Sequence, residues 1–352
     1  MTEWPFTSIV VPVFNGGDTI DDLLRSLIAL NYPRERYEII VVDNNSQDDT
    51  VQVVQRYPVK LLYEKIQSGF AARNRGVRAA TGEAIAFTDA DCVAHPDWLK
   101  HLLADYKEHR WGGFAGGFEA SQPHNDVQRH ISNTGASCFT PDFICQPFLD
   151  AQSRGELLCS RFEFLNYRSN IRLPSNLKNP PTANVAYRRQ VFDEIGYFDP
   201  RFTSGGDLEF AWRLQTQTRW QIKIAPQAII YHQHRADLAG MANQYRKNGW
   251  GYGLHVLHQA LKCGSNPQVV ARQMATESLI LIGLSAVNHT LAFGGRLARS
   301  LLRRPPDTLY LKVPLLTMLG SVNFYYGRLV AARKGNKWLD ENSRAAWPEV
   351  PN

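Results

Sequence analysis

The chain predicts an α/β fold, a mostly parallel sheet flanked by helices, with a C-terminal helical appendage. From Ser8 to Glu108, short apolar runs of strand length alternate with longer runs whose apolar residues recur at helical spacing. Such alternation builds parallel sheets wrapped by helices. Polar and acidic residues follow several of the apolar runs, at the carboxyl ends of strands where such sheets collect ligands. Beyond Asp237 the strand signals stop and helical, amphipathic pattern takes over.

Ser8 to Phe14 reads as a first strand, followed by a sharp Asn15-Gly16-Gly17 turn. Asp18 or Thr19 can cap the next helix, where Ile20, Leu23, Leu24, Leu27 and Leu30 share a face. Tyr37 to Asp43 is a second strand, and Asp48 or Asp49 caps a helix running to about Tyr57. Val59 to Tyr63 is a third strand. Ser68-Gly69 opens a helix through Ala79 that Gly82 closes. Ala84 to Thr88 is a fourth strand, apolar enough to be buried on both faces, and a helix is expected from Pro96 to Glu108.

From Glu119 to about Lys178 the alternation lapses, and residues 119–180 read as an elaborated connection on the acceptor side of a cleft. Pattern returns at Pro180 to Arg189, then a helix from Gln190 to Ile195 stopped by Gly196. Gly205-Gly206-Asp207 opens another helix. Ile222–Ile224 and Ala228–Tyr231 read as two short strands, the second ending at His232-Gln233-His234. The expected division is a sheet domain over 1–236 and a helical region over 237–352.

A chain of 352 residues holds one large domain, or a domain plus an appendage, with ample core. Its 44% apolar and 20% charged residues are ordinary globular values. The net charge of +6 is moderate, and no dense basic run or nucleic-acid motif accompanies it, so a nucleic-acid partner is not expected. The five cysteines are scattered and form no Cys-x-x-Cys pair, which points to a reducing cytosol and no disulfide framework. No secretory signal pattern opens the chain. Missing Gly-x-Gly-x-x-Gly, Gly-Lys-Ser/Thr and Gly-x-Ser-x-Gly patterns argue against a dinucleotide cofactor, a P-loop and a serine hydrolase. Leu279 to Leu284 is apolar but too short to span a bilayer, and Asn288 and His289 interrupt its continuation. Arg296, Arg299, Arg303 and Arg304 follow, so these helices can either lie in a membrane interface or pack on the domain with a solvated basic face.

Asp89 and Asp91 stand where the fourth strand ends, and residues two apart in extended chain point the same way. Paired carboxylates there suit a hard divalent cation carrying phosphate oxygens, or else simply a solvated turn.

Taken in order, Val11-Pro12-Val13-Phe14-Asn15, Val41-Val42-Asp43-Asn44-Asn45-Ser46, Ala72-Arg73-Asn74-Arg75-Gly76, Asp89-Ala90-Asp91, Asn184 to Arg189 and Gly206 to Leu214 resemble the family-2 glycosyltransferases. The resemblance covers about residues 7 to 235, and implies the GT-A fold and an inverting, bacterial-type, metal-dependent transferase. It places Pro12, Phe14, Asn15, Asp43, Arg73, Asp89 and Asn184 around a nucleotide-sugar donor. Asp43 would accept the ring N–H of uracil or thymine, Arg73 would meet the diphosphate, and Asn184 would stand near the sugar or acceptor. Asp89, Asp91 and His232 would serve a Mn²⁺ or Mg²⁺ ion, with His234 as a substitute for His232.

Inversion needs a leaving diphosphate stabilised by a cation and a base that deprotonates the acceptor hydroxyl. Asp207 is the expected base. The family's usual acidic pair is broken by Gly206, and Asp207 holds the second position. Glu209 is the rival, although two residues along a helix point to roughly opposite sides, and its i, i+4 spacing to Arg213 reads as a surface pair. The expected function is transfer of a hexosyl or deoxyhexosyl unit from a UDP- or dTDP-linked donor to a saccharide or lipid-linked acceptor, in cell-surface polysaccharide or glycolipid synthesis. The setting would be the cytoplasm, on the inner face of the cell membrane if the C-terminal helices touch it. The alternatives are a nucleotidyltransferase and a binding module that has lost its chemistry.

Overall fold

The computed structural model describes residues 4–120, 126, 178–233, 237–262, 266–301 and 308–343. Four strands, β1 (Thr7–Val13), β2 (Tyr37–Asp43), β3 (Lys60–Tyr63) and β4 (Ala84–Thr88), pair in parallel. Their crossovers are α1 (Ile20–Ile28), α2 (Thr50–Val54) and α3 (Gly69–Ala79). The sheet continues with β5 (Cys92–Ala94), β6 (Trp111–Ala120), β7 (Asn184–Arg188) and β8 (Gln221–His232), in the order β3-β2-β1-β4-β7-β6-β8-β5.

This second half is mixed. β7 runs antiparallel to both β4 and β6, and β5 antiparallel to β8. A helix crossover leads into each of the parallel strands β2, β3 and β4, whereas β5 follows β4 through a short turn with no helix between them. The two short strands expected near residues 222 and 230 are one strand. The register of β8 against β6 jumps between Gly116 opposite Ala225 and Gly117 opposite Ile229, so the ladder skips Pro226, which has no N–H to give it.

Helix α4 (Trp98–Leu102) is shorter than the Pro96–Glu108 expectation. After Leu103 the backbone makes tight turn bonds, Tyr106 to Leu103 and Glu108 to Asp105. Here the Tyr106 ring packs on Phe114, with the Arg188 guanidinium 4.0 Å from its centroid. Tertiary contacts with aromatic and cationic partners override local helix periodicity.

Apolar side chains fill both faces of the sheet, Ile9, Val11, Leu23, Leu24 and Trp98 on one, Val10, Ile40, Phe87, Tyr187 and Phe210 on the other. Two helices follow β7: α5 (Arg189–Ile195) and α6 (Gly206–Gln217).

The C-terminal region comprises α7 (Leu238–Lys262), α8 (Pro267–Leu301) and α9 (Thr308–Ser343). Helices α7 and α9 approach so closely that a Cβ on Gly249 would lie 1.9 Å from the Phe324 carbonyl oxygen. Helix α8 runs unbroken through Asn288 and His289. Pro267–Phe293 is therefore long and apolar enough to cross a membrane by length and composition, where the sequence had marked only Leu279–Leu284. Only 24% of its apolar window is buried, and Leu279, Val287 and Leu291 are exposed. His234, Arg303, Arg304 and nearly all of the 119–180 connection lie outside the described residues.

Candidate active site

The parallel half of the sheet aligns its carboxyl ends in register. Val13 pairs with Asp43, and Asp43 with Tyr63. The Asp43 carboxylate is buried and accepts the Ser46 N–H at 3.3 Å on both oxygens, a long shared bond that leaves lone pairs for another donor. Exposed Phe14, Tyr63 and Ile66 stand beside it on the strand-end rim. Sequence reasoning missed Tyr63 and Ile66. Their signal was available, since large apolar residues at or just past a strand end have no core to enter.

Asn15 serves the backbone. Its Oδ1 accepts the Gln47 N–H at 2.8 Å, and its own N–H donates to Ser46 Oγ at 2.9 Å. Gly16 and Gly17 continue the seam through Thr50 Oγ1 and Asp48 Oδ2. These bonds tie the turn after β1 to the loop after β2. The residue needs a left-handed backbone (φ 49°), which asparagine tolerates. Helix α1 starts after Thr19 with no side-chain cap, so the capping role expected of Asp18 or Thr19 is not taken. Pro12 is half-buried and pairs with Val42, beyond the last β4 partnership at Val10–Phe87. With one neighbouring strand there, a residue lacking an N–H is tolerated.

Helix α3 brings Arg73 to the same rim. Ser68 caps it, accepting the Ala71 N–H and donating to the Pro200 carbonyl. Arg73 is buried, and its Nη2 lies 2.5 Å from Asp89 Oδ1. Its guanidinium sits 5.4 Å from the Phe70 ring centroid, and its Nε has no partner among the described residues. Asn74 holds the helix to the chain after α5 through paired bonds with the Phe198 backbone.

The Asp89 carboxylate therefore engages Arg73, while Asp91 turns to His232. Asp91 Oδ1 and His232 Nε2 are 3.5 Å apart, and both side chains are partly exposed. The Gln233 N–H donates to the Asp91 carbonyl, fixing the two segments together. This carboxylate and imidazole fit a divalent cation by donor type and convergence. Beside them lies Cys92, whose buried thiol is pushed well above its ordinary pKa, first by burial and then by the neighbouring Asp91.

Asp207 stands in the first turn of α6, partly exposed, with its Oδ1 accepting the Leu208 N–H at 2.9 Å. Burial raises its pKa. The backbone bond and Arg73 oppose that shift, and Asp89 adds to it. Asp207 thus belongs to one electrostatic group with Arg73 and Asp89. A Cβ on Gly206 would lie 2.7 Å from Phe70 Cε2, so the Phe70 ring occupies the space that an acid at this position would need.

Two expectations need correction. Glu209 and Arg213 are not a surface pair. They form an ion pair at 2.8 Å with side chains 0% and 4% exposed, and Arg213 also donates to the Ile195 and Tyr197 carbonyls. Glu209 is thereby removed as a rival base. Asn184 is fully buried. It accepts Trp98 Nε1–H at 2.8 Å and donates to the Gly117 and Ala228 carbonyls, so both amide hydrogens are spent inside the sheet rather than near a sugar. Half-buried Trp212 packs its ring against His255 of α7.

The sequence model of Glycosyl transferase family 2 matches residues 8–196. The chain is 26% identical over 248 residues to Glycosyltransferase AglE of Haloferax volcanii, covering 69% of this chain and 71% of that one. It is 26% identical over 239 residues to chondroitin synthase of Pasteurella multocida, covering 64% of this chain but only 24% of that longer protein. Among solved structures, the mannosyltransferase PcManGT from Pyrobaculum calidifontis, in complex with GDP-Man and Mn²⁺, shares the fold. The TM-score is 0.56 at 16% identity, over 94% of this chain and 88% of that one.

Proposed function

The chain belongs to glycosyl transferase family 2, with the GT-A fold, and on that premise we propose an inverting, metal-dependent glycosyltransferase that uses a nucleotide-diphosphate sugar. The observation that carries this reading is the grouping of Arg73, Asp89 and Asp207, with Asp91 and His232 alongside. One cation and one acid–base carboxylate are what inverting transfer requires.

A Mn²⁺ or Mg²⁺ ion held by Asp91 and His232 would supply Lewis-acid stabilisation of the departing diphosphate, and the imidazole nitrogen favours Mn²⁺. Arg73 binds the diphosphate as a charged fork, exchanging its Asp89 partner for phosphate oxygens. Asp43 accepts the ring N–H of uracil or thymine, and exposed Phe14 offers an aromatic face for the base. This favours UDP or dTDP sugars. The GDP-Man complex of PcManGT is the reason to test guanine donors too. Asp207 takes the acceptor proton at its carboxylate. Its raised pKa makes it a stronger base than an ordinary carboxylate, and the nearby Arg73 charge opposes part of that rise.

The acceptor is a saccharide or a lipid-linked saccharide in cell-surface polysaccharide or glycolipid synthesis. The exposed apolar face of α8 supports peripheral contact with the inner face of the cell membrane, hence a cytoplasmic site of action. Vesicle flotation tests this: a full-length protein that ignores anionic vesicles ends the membrane proposal.

The primary experiment measures nucleoside diphosphate release from a panel of sugar nucleotides, with Mn²⁺, Mg²⁺ or chelator, for wild type and Asp91→Ala. Slow hydrolysis of one donor, lost with chelator and with the variant, is expected. Absence of donor binding under all conditions overturns the reading. Gly206 favours one second reading, a donor-binding module without turnover, which metal-dependent binding with no turnover on any acceptor would support. Family membership sets aside the nucleotidyltransferase alternative.

A further inference from the structure

We propose that Asp91, Cys92 and His232 form a mixed oxygen, sulfur and nitrogen site for a thiophilic divalent cation of the Zn²⁺ class, with the Cys92 sulfur as a ligand. This rests on the proposed cation site at Asp91 and His232 and adds a third donor to it.

Cys92 and His232 are register partners across the antiparallel β5–β8 pair. Residues directly opposite in such a pair project from the same face of the sheet, with Cα atoms about 4.5–5.5 Å apart. Asp91 precedes Cys92 at the mouth of the strand, and one ligand atom from each of the three residues lies within 4.8 Å of the others. Two edges of that triangle are measured: Asp91 Oδ1 to His232 Nε2 is 3.5 Å, and Asp91 Oδ1 to Cys92 Sγ is 3.9 Å. A tetrahedral ion with bonds of about 2.0 Å to nitrogen and oxygen and 2.3 Å to sulfur has ligand edges of roughly 3.3–3.7 Å. The Asp91–His232 edge already lies in that range, and a shift of a few tenths of an ångström brings the Asp91–Cys92 edge into it.

The donor types decide which ion gains from the third ligand. Hard Mg²⁺ draws nothing from sulfur, and Mn²⁺ little, whereas thiolate with imidazole and carboxylate is a zinc-type set. Asp91 and His232 are partly exposed, so an ion enters from the rim and meets the buried sulfur last. Binding forms a metal–sulfur bond and releases the thiol proton to water, with no change in oxidation state. Because the ion takes Asp91 and His232, it competes with the Mn²⁺ or Mg²⁺ that would carry the diphosphate. The site thereby becomes sensitive to thiophilic metals.

The test titrates the full chain, stripped with chelator, with Cd²⁺ and follows thiolate-to-metal charge-transfer absorption. Wild type should develop a band that saturates with the first bound ion. Cys92→Ser should lose that band. Asp91→Asn and His232→Ala keep all five thiols, yet should weaken Cd²⁺ binding by about tenfold or more, the scale on which metal sites respond to loss of a partner. These two variants carry the test if Cys92→Ser fails to fold. A band unchanged in Cys92→Ser, or Cd²⁺ affinity unchanged in both other variants, overturns the proposal. Mn²⁺ binding, read by electron paramagnetic resonance on the same wild-type sample, separates the two levels. Mn²⁺ bound with no Cd²⁺ band defeats the sulfur ligand alone, whereas neither ion bound defeats the cation site itself.

Discussion

Arg73 Nη2 lies 2.5 Å from Asp89 Oδ1, joining a side chain that is 9% exposed to one that is 34% exposed. The pair links the amino end of α3 to the carboxyl end of β4, and its charge reaches Asp207 on α6. Two consecutive elements and a helix distant in sequence thus share one electrostatic neighbourhood.

Arg73→Lys keeps the charge but loses the planar fork. Charge-assisted hydrogen bonds contribute about 1.5–3 kcal/mol each, so nucleoside diphosphate affinity should fall roughly tenfold to a hundredfold. Isothermal titration checks this, and unchanged affinity would place the diphosphate elsewhere.

Asp207→Asn should lower kcat by about 10²–10⁴ while leaving donor affinity near wild type, as expected for loss of a general base. The acidic limb of the wild-type kcat profile should sit above the ordinary carboxylate range, because burial raises this pKa.

The same shift fixes a sign for stability. A raised carboxylate pKa means that the folded state holds the proton more tightly than the unfolded state. Stability from this group is present below the unfolded pKa and declines as pH rises through the folded one. Asp207→Asn should therefore match or exceed wild-type thermal stability at pH 7. A marked fall in Tm would show that the carboxylate is structural.

Glu209→Gln should do the opposite. It leaves Arg213 as a buried charge without its ionised partner, at a cost of about 3–5 kcal/mol. Denaturant unfolding reads this, and a loss below about 1 kcal/mol, the scale of an exposed pair, would contradict the buried geometry.

Gly206→Ala should cost about 1–3 kcal/mol by overpacking against Phe70. In the Phe70→Ala background the added methyl should cost much less. Additive effects in that double-mutant cycle would show that the ring is not what excludes a side chain at 206.

Local signals carried much of this protein. Apolar runs bounded by turn residues placed β1, β2 and β4 within a residue of where they lie, because a strand buried on both faces has a near-continuous apolar signature. Helix α3 was equally legible, with Ser68 as its cap. Partnership was not legible. Nothing local distinguishes an asparagine that binds a ligand from Asn184, which spends its amide on Trp98 and two carbonyls contributed by other strands. Helix spacing paired Glu209 with Arg213, but burial depends on what packs over the pair, here the Ile195 and Tyr197 backbone.

The sequence by itself determined the alternating elements and the order in which Asp43, Arg73, Asp89, Asp91 and Asp207 are delivered, since periodicity and turn chemistry act over a few residues. Only the tertiary structure decided that β7 enters antiparallel, that Asp89 faces Arg73 while Asp91 faces His232, and that Cys92 lies opposite His232. Those choices depend on strand register and on packing between separate elements, and neither leaves a mark on local composition.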